Sequence, residues 1–280
     1  MLVSRFGARY PERIVCLTEE TTETLYLLGE ERRIVGISGY TVRPPRARLE
    51  KPRVSAFLSA KTDRILELKP DLVLGFSDLQ ADIARDLAKA GLNIVIFNQR
   101  SVDEILSMIL TLAAMVGAAE KGHALVRSLG SGLEEIRVAA SRFPGRPRVY
   151  FEEWDEPMIS GIRWVSELVD IAGGEDIFSE LSHFQSATGR VVQDPGEVMR
   201  RKPDLILASW CGKKFRPERV AARPGWQDVP AVRDKQLFEI KSSDILQPGP
   251  AALTDGVRRM HAIFRDFLSG GGRTRRSGGA

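Results

Sequence analysis

Cysteine and histidine are scarce in this chain of 280 residues, which contains two cysteines and three histidines. Two cysteines cannot build the disulfide framework of a small secreted domain, and neither their spacing nor their neighbours suggest zinc. Cys16 lies in a short apolar run and is interpreted as a small core residue. The histidines are far apart and have no partner at ligand spacing, so no metal site is predicted.

Long apolar runs are also lacking. No apolar stretch reaches the ~18 residues that a transmembrane helix needs, so no membrane span is predicted. The first residues do not contain the apolar segment of a secretion signal, and we therefore expect a cytoplasmic protein. A periplasmic location is the alternative if a signal has been removed or the start is wrongly assigned.

Sequence templates for nucleotide binding and nucleophilic catalysis are absent. The chain has no G-x-x-x-x-G-K-[ST], no G-x-G-x-x-G after a strand and no G-x-S-x-G. We therefore expect a protein that is not an enzyme and that needs no catalytic cofactor. An unfamiliar enzyme built on acidic groups stays open, and its candidate side chains are Glu19, Glu20, Glu152 and Glu153.

A strong excess of positive charge is missing from most of the chain. The formal net charge is +4, but Arg273, Arg275 and Arg276 lie in a C-terminal tail rich in glycine and serine. The remainder is close to neutral and has no basic stripe with interleaved aromatic residues, so nucleic acid is not expected as a partner. Residues 269–280 are predicted to be disordered.

A long amphipathic pattern over residues 120–143 predicts one helix near the middle of the chain. Its apolar side chains recur at the spacing of a single helical face. Pro144 ends the pattern, because proline cannot continue a helix. Three glycines weaken the pattern, so two shorter helices with a kink are the alternative. The apolar face comprises Leu125, Leu129, Leu133, Ile136 and Ala140.

The sequence before this helix resembles the sequence after it. The tetrapeptide Lys-Pro-Asp-Leu, followed by an apolar strand, occurs at residues 69–72 and again at residues 202–205. Strands that alternate with helices predict parallel sheets. The predicted fold is α/β, with two Rossmann-like lobes of mainly parallel sheet joined by one long helix. The expected boundaries are 1–117 for the first lobe, 118–145 for the connecting helix and 146–268 for the second lobe.

The apolar segments predict the strands of both sheets. In the first lobe we expect strands at residues 13–17, 34–38, 54–57, 72–75 and 93–97. In the second lobe we expect strands at residues 148–151, 191–192, 205–208 and 237–240.

Aromatic and polar residues collect where these predicted strands end. Ligands of open α/β sheets bind at the carboxyl ends of the strands, and aromatic rings offer broad contact area with little rotamer entropy to lose. We therefore expect a cleft between the lobes that accepts a large flat ligand. The residues at these positions are Tyr40, Phe57, Phe76, Trp154, Trp210 and Asp244.

Two loops of the first lobe allow more than one interpretation. The polar turn at residues 18–22 either caps the following helix or faces a ligand with its hydroxyls and backbone. The proline-rich segment that follows contains four basic residues, which form either a solvated loop or a contact for anionic groups. These are Arg43, Arg46, Arg48 and Lys51.

Several of these features together resemble a known family. They are the order of elements, the paired Lys-Pro-Asp-Leu strands, Ser160-Gly161 before a helix, and the segment A-G-G-E-D-I-F at residues 172–178. Over residues 13–267 the chain is similar to ABC-transporter substrate-binding proteins of the helical-backbone class, within which it looks most like the cobalamin (vitamin B12)-binding, BtuF-like proteins. The resemblance implies the class III periplasmic-binding-protein fold, with a corrinoid held between the lobes.

The resemblance also implies which residues of this chain line the ligand site. Ferric siderophores and haem are the alternative ligands, because binders of both share the scaffold, and an enzyme acting on a tetrapyrrole or metal chelate is a further alternative. Cys211 or His183 could ligate cobalt, although a bystander role is expected for both. The implied ligand-binding residues are Thr18, Glu19, Glu20, Thr21, Tyr40, Phe57, Phe76, Trp154, Trp210 and Asp244.

The family further implies a partner in the membrane. Its members carry an acidic residue on each lobe to dock onto arginines of the transporter permease. Asp63 matches the first of these positions, whereas the second position is Gly196, with Glu197 beside it. We therefore expect Asp63 and Glu197 to be the docking residues if an ABC transporter is the partner, and we expect the protein to be a monomer.

Overall fold

The computed structural model describes residues 9–270 and divides the chain into two compact units. The first lobe comprises the described residues up to Gln99 together with Asp103–Ser128, and the second comprises Arg100–Val102 and the described residues from Leu129 onward. Of the tail predicted to be disordered, Ser269 and Gly270 instead belong to the last helix, and residues 271–280 lie outside the described residues. Within the described residues, no helix combines the length and apolar character that crossing a membrane requires.

The first lobe is built on a five-stranded sheet in which every pair of neighbours is parallel. The strand order is β3-β2-β1-β4-β5, and the parallel pairing is the one that the alternation of strands and helices predicts. The central strands read as nearly continuous apolar runs because both faces of a parallel sheet are covered. The strands are β1 (Ile14–Cys16), β2 (Ile34–Ser38), β3 (Arg53–Ser55), β4 (Leu72–Phe76) and β5 (Ile94–Phe97).

Helices follow the strands of this lobe and cover the sheet. A core of aliphatic side chains from β1, β3 and β4 packs against Ile65 and Leu87, which project from two of these helices. The helices are α1 (Glu19–Leu27), α2 (Ala47–Glu50), α3 (Thr62–Glu67), α4 (Ala81–Lys89) and α5 (Val102–Met115).

The predicted long helix is a single continuous element, α6 (Ala119–Ala140), so the kinked alternative is wrong. It ends three residues before the predicted position, because the chain turns at residues 141–145 ahead of the next strand. Gly122 lies close against α5, since a β-carbon built there would lie 2.4 Å from the β-carbon of Ala113. One of the glycines that weaken the helical pattern is therefore required by packing.

The second lobe contains a mixed sheet with the order β10-β9-β6-β7, and β8 pairs with β6 beside it. Its parallel pairs are β6 with β8, β6 with β9, and β9 with β10, whereas β7 runs antiparallel to β6. The strands are β6 (Arg148–Asp155), β7 (Met158–Ser160), β8 (Glu175–Asp176), β9 (Leu205–Ala208) and β10 (Leu237–Glu239).

Two strand predictions in this lobe are wrong. The first strand continues to Asp155 instead of ending at Phe151, because Met158–Ser160 folds back and pairs with its second half. The strand predicted at residues 191–192 is reduced to an isolated bridge between Val191 and Ile159.

The helices of the second lobe surround a core that is rich in large rings. Tyr150, Phe178 and Trp226 are buried together, and Tyr150 makes edge-on ring contacts with the other two. A π-helical turn (Ala252–Gly256) leads into the last helix. The helices are α7 (Arg163–Ile171), α8 (Pro195–Arg201), α9 (Pro217–Ala221), α10 (Pro230–Arg233), α11 (Ser242–Ile245) and α12 (Val257–Gly270).

The architecture is therefore the predicted one: two α/β lobes with mainly parallel sheets, joined by one long helix.

Candidate functional site

The carboxyl ends of the first lobe's strands bring most of its predicted ligand-binding residues to one edge of the sheet. Thr18 follows β1 by two residues, and Tyr40 and Phe57 follow β2 and β3 at the same distance. Phe76 is the last residue of β4. Since the four strands are parallel neighbours, their ends meet at one edge, which is where ligands of open α/β sheets bind.

The polar segment after β1 is mostly the first turn of α1 and not a loop. Thr18 has extended backbone geometry at the N-cap position, and its side chain makes no capping hydrogen bond. Its hydroxyl instead donates to Oε1 of Glu20 at 2.6 Å. The simple capping interpretation of this segment is therefore wrong. Thr21 and Thr22 are buried, and their hydroxyls donate back to the Thr18 carbonyl at 3.2 Å.

Glu19 and Glu20 are buried carboxyl groups, with 7% and 1% of their surface exposed. Burial raises the pKa of Glu19 to about 8, aided by repulsion from Glu20 and Glu23. Burial also raises the pKa of Glu20 to about 7, although the hydrogen bond from Thr18 opposes this shift. Both groups therefore exchange a proton close to neutral pH.

The aromatic residues of this edge differ in how much of each ring is accessible. Tyr40 is 56% exposed, Phe57 is half-buried and Phe76 is buried. Tyr40 and Phe57 can therefore offer ring surface to a ligand without any rearrangement of the lobe. Phe76 contributes mainly to the lobe itself in this structure, so its predicted contact with a ligand would need its surroundings to move.

Gln80 ties two of these positions together, and sequence reasoning missed it. Its side chain is fully buried, and its Oε1 accepts a hydrogen bond from the Phe76 N–H at 3.0 Å. Its Nε2 donates to the Phe57 carbonyl at 2.9 Å. Gly75 permits this arrangement, because a β-carbon there would lie 2.7 Å from Gln80 Oε1. Nothing in the local sequence indicates that a glutamine is to be buried here.

Two members of the basic cluster are engaged with acids of their own lobe. Arg43 forms an ion pair with Glu23 at 2.8 Å, and Arg46 pairs with Glu31 at 3.1 Å. The Arg46 guanidinium also lies 4.7 Å from the centre of the Tyr26 ring. An anionic ligand would have to compete with these contacts.

In the second lobe, Trp154 lies within β6 and not after its end, which corrects its predicted placement. The strand runs past its parallel neighbour, so Trp154 pairs with Ile159 of the antiparallel β7. The ring is half-buried, and its Nε1 donates to the Glu156 carbonyl at 2.8 Å. The Lys213 ammonium lies 4.0 Å from the ring centre, where it covers part of the aromatic surface.

Trp210 follows β9, as predicted, but its ring is buried in the core of the second lobe. It packs edge-on against Phe215, with the ring centres 5.1 Å apart. Its Nε1 donates to Glu152 Oε1 at 3.0 Å. Trp210 is therefore held in place by the protein, and most of its ring surface is not accessible to a ligand.

Glu152 is fully buried and belongs to an ion pair that the sequence does not indicate. Arg223 donates to both of its carboxylate oxygens, at 2.6 and 2.9 Å, and the guanidinium lies 4.6 Å from the centre of the Trp226 ring. Glu153 pairs with the buried Arg190. Two of the four glutamates proposed as candidate acids of an enzyme thus already have arginine partners.

Asp244 lies in the short helix α11 after β10, where it is half-buried. The Ser243 hydroxyl donates to its Oδ1 at 3.1 Å. Its backbone carbonyl is close to the π-helical turn, since a β-carbon on Gly256 would lie 2.3 Å from it. The three predicted residues of the second lobe therefore come from β6, the end of β9 and the segment after β10, which are neighbouring parallel strands.

The two predicted docking residues lie in the first turns of their helices but differ in their contacts. Asp63 is exposed at the start of α3. Glu197, at the start of α8, pairs with Arg200 and with Arg201 on the same helix, and these hydrogen bonds lower its pKa. A transporter arginine would have to compete with two existing partners at Glu197.

Metal-binding clusters of three or more histidine, cysteine or acidic side chains do not occur in the described part of the chain. Cys16 is buried in β1, and burial raises the pKa of its thiol to about 12, so it remains protonated. Cys211 and His183 are exposed.

Comparison with known proteins identifies the class that this fold defines. A family model described as periplasmic binding protein matches residues 14–243. The chain belongs to this family.

Individual relatives cover nearly the whole chain. It is 24% identical to an uncharacterised ABC transporter substrate-binding lipoprotein, YvrC, of Bacillus subtilis, over 91% of this chain and 81% of the relative. It is 28% identical to a vitamin B12-binding protein of Vibrio cholerae, over 89% of this chain and 87% of the relative. The periplasmic haem-binding protein RhuT of Roseiflexus sp. RS-1 has the same fold, with a TM-score of 0.76, 24% identity, and coverage of 90% of this chain and 98% of that one.

Proposed function

We propose that this substrate-binding protein takes up cobalamin or a related corrinoid and carries it for uptake or for intracellular delivery, without catalysing a reaction. The observation that carries this proposal is the 28% identity to a vitamin B12-binding protein across 89% of the chain. The contacts would come from the strand-end loops of both lobes. The accessible rings of Tyr40 and Phe57 would pack on the macrocycle, and Asp244 would meet its amide side chains.

The rival ligands are haem and a ferric siderophore. The fold of RhuT supports the haem alternative at the level of architecture, and the basic cluster would then hold the carboxylates of the ligand. Against this alternative, Arg43 and Arg46 are already paired with Glu23 and Glu31. For an enzyme acting on a tetrapyrrole, two of the four candidate acids, Glu152 and Glu153, are already paired with arginines.

The location that best fits these relatives is the periplasm. The family description and the lipoprotein relative do not support the cytoplasmic location expected from the sequence, and the periplasmic alternative fits better. We further propose that an ABC transporter permease receives the ligand, with Asp63 and Glu197 as the docking acids.

Calorimetric titration of the purified chain with cyanocobalamin, cobinamide, haem and a ferric siderophore tests the ligand. We expect both corrinoids to bind and to be recovered unchanged after long incubation. Saturable binding of haem or the siderophore alone, lost when Arg43, Arg46 and Arg48 are replaced by alanine, would refute the corrinoid proposal. Chemical conversion of a bound corrinoid would refute the non-enzymatic one.

A further inference from the structure

The start of α1 contains buried hydrogen-bond acceptors that the protein does not satisfy. Glu19 and Glu20 are both more than nine-tenths buried. Oε1 of Glu20 accepts from the Thr18 hydroxyl, but Oε2 of Glu20 and Oε2 of Glu19 have no hydrogen-bond partner among the described residues. Buried polar atoms are nearly always paired in folded proteins, since an unpaired one costs about 1–3 kcal/mol. A donor from a bound molecule would remove this cost.

The charges around the pair do not remove the need for a donor. Arg43 and Arg48 attract the negative charge of Glu19, whereas Glu20 and Glu23 repel it, and Arg43 is itself paired with Glu23 at 2.8 Å. Around Glu20, the Thr18 hydroxyl favours the charged form and Glu23 opposes it. Burial is the largest cause, and together with this balance of charges it raises the pKa of Glu19 to about 8 and that of Glu20 to about 7.

A neutral amide suits such a pair in either protonation state. An amide N–H donates to an ionised carboxylate, and an amide carbonyl accepts from a protonated one. A carboxylate on the ligand would add like charge to the same place, which raises the cost of ionising Glu19 and Glu20. Specificity of this kind depends as much on rejecting the wrong group as on binding the right one.

We propose that Glu19 and Glu20 select the ligand by its periphery, because they accept N–H donors from neutral amide side chains and disfavour ligands with carboxylates at the same positions. This inference rests on the proposed corrinoid function and deepens it. Two acids of the first lobe would then determine which macrocycle binds, whereas the aromatic side chains of the site make contacts that any flat ligand could use.

Two corrinoids that differ only in their periphery provide the test. Dicyanocobinamide carries amide side chains, and dicyanocobyrinic acid carries free carboxylates on the same ring and metal. In calorimetric titrations at pH 8, the wild-type chain should bind the amide form at least about tenfold more tightly. Equal affinities would overturn the inference while leaving corrinoid binding intact. Binding of neither compound would overturn the proposed function as well.

Variants then locate the preference. Replacing Glu19→Gln together with Glu20→Gln keeps the size of the side chains and removes their charge, so dicyanocobyrinic acid should bind about tenfold more tightly than it binds the wild type, and the gap to cobinamide should narrow. Glu67→Gln, an exposed site on α3 of the same lobe, is the matched control and should change neither affinity. Thermal unfolding of each variant verifies that it is folded. A folded double variant with an unchanged preference would overturn the assignment.

Discussion

Buried acids occur in both lobes, and their surroundings differ. Glu152 is paired with Arg223 and also receives the Trp210 N–H, so its charge is compensated within the second lobe. Glu19 and Glu20 in the first lobe are buried without an equivalent partner, and burial raises the pKa of each. Removing the charge of Glu19 should therefore stabilise the folded protein, whereas removing the arginine partner of Glu152 should destabilise it.

For Glu19 we predict a pH-dependent gain in stability on neutralisation. Its folded pKa of about 8 exceeds its ordinary value of 4.5, so the folded state binds the proton more tightly and stability falls as pH rises through this interval. Glu19→Gln has no carboxyl group to ionise. Its free energy of unfolding should therefore exceed that of the wild type by about 2–4 kcal/mol at pH 9, with a much smaller difference at pH 4.5. Urea unfolding at both pH values measures it, and a pH-independent difference would contradict the burial of this charge.

For Arg223 we predict a large loss of stability. Arg223→Met leaves the Glu152 carboxylate buried without its cation, which should cost about 3–5 kcal/mol. The matched control is Arg200→Met, because Arg200 pairs with Asp194 and Glu197 on the surface, and the unfolding midpoint should barely move. Similar midpoints for the two variants in urea would show that the buried pair has no special importance.

The sequence predicted the position of these site residues but not how accessible each side chain is. Placing Tyr40, Phe57 and Trp210 near strand ends needs nothing beyond the strand pattern, and the strand ends are where they lie. Their accessibility could not be predicted, because it depends on distant partners. Trp210 is buried through Phe215 and Glu152, and the backbone around Phe57 and Phe76 is fixed by Gln80, which no local pattern marks.

At the scale of elements, the local periodicity of apolar residues was sufficient to predict the regular strands and the long helix. The five parallel strands of the first lobe and the continuous helix α6 follow from their apolar patterns. The second half of β6 did not, since Glu152, Glu153 and Trp154 resemble a polar loop. This segment is a strand because β7 pairs with it across a tight turn, and such pairing is set by tertiary context more than by propensity.

The glycines of α6 give a prediction that separates packing from helix propensity. Gly122→Ala would place a β-carbon 2.4 Å from that of Ala113 on α5 and should destabilise the chain by about 1–3 kcal/mol. Gly130→Ala meets nothing within 4 Å and should stabilise it by up to about 1 kcal/mol. Denaturant unfolding of the two variants, which carry the same substitution on the same helix, measures the contrast. Equal shifts would contradict the close approach of α5 and α6.

At the scale of the whole molecule, the family and the architecture agree with the pattern of repeated strands and one long helix. The ligand is harder to predict, because proteins with this architecture are named for haem as well as for vitamin B12. A shared scaffold positions the strand ends, and the few side chains on those ends determine which ligand binds. Contact between a corrinoid and the predicted strand-end residues is therefore the central claim.

Amide hydrogen exchange with and without saturating cyanocobalamin tests that claim most directly. We predict slower exchange in peptides that contain residues 18–21, 40 and 57 of the first lobe and residues 154, 210 and 244 of the second. The peptide around Asp63, which the account assigns to transporter docking, should be unchanged. Exchange that stays the same throughout, or slows only away from these strand ends, would contradict the account.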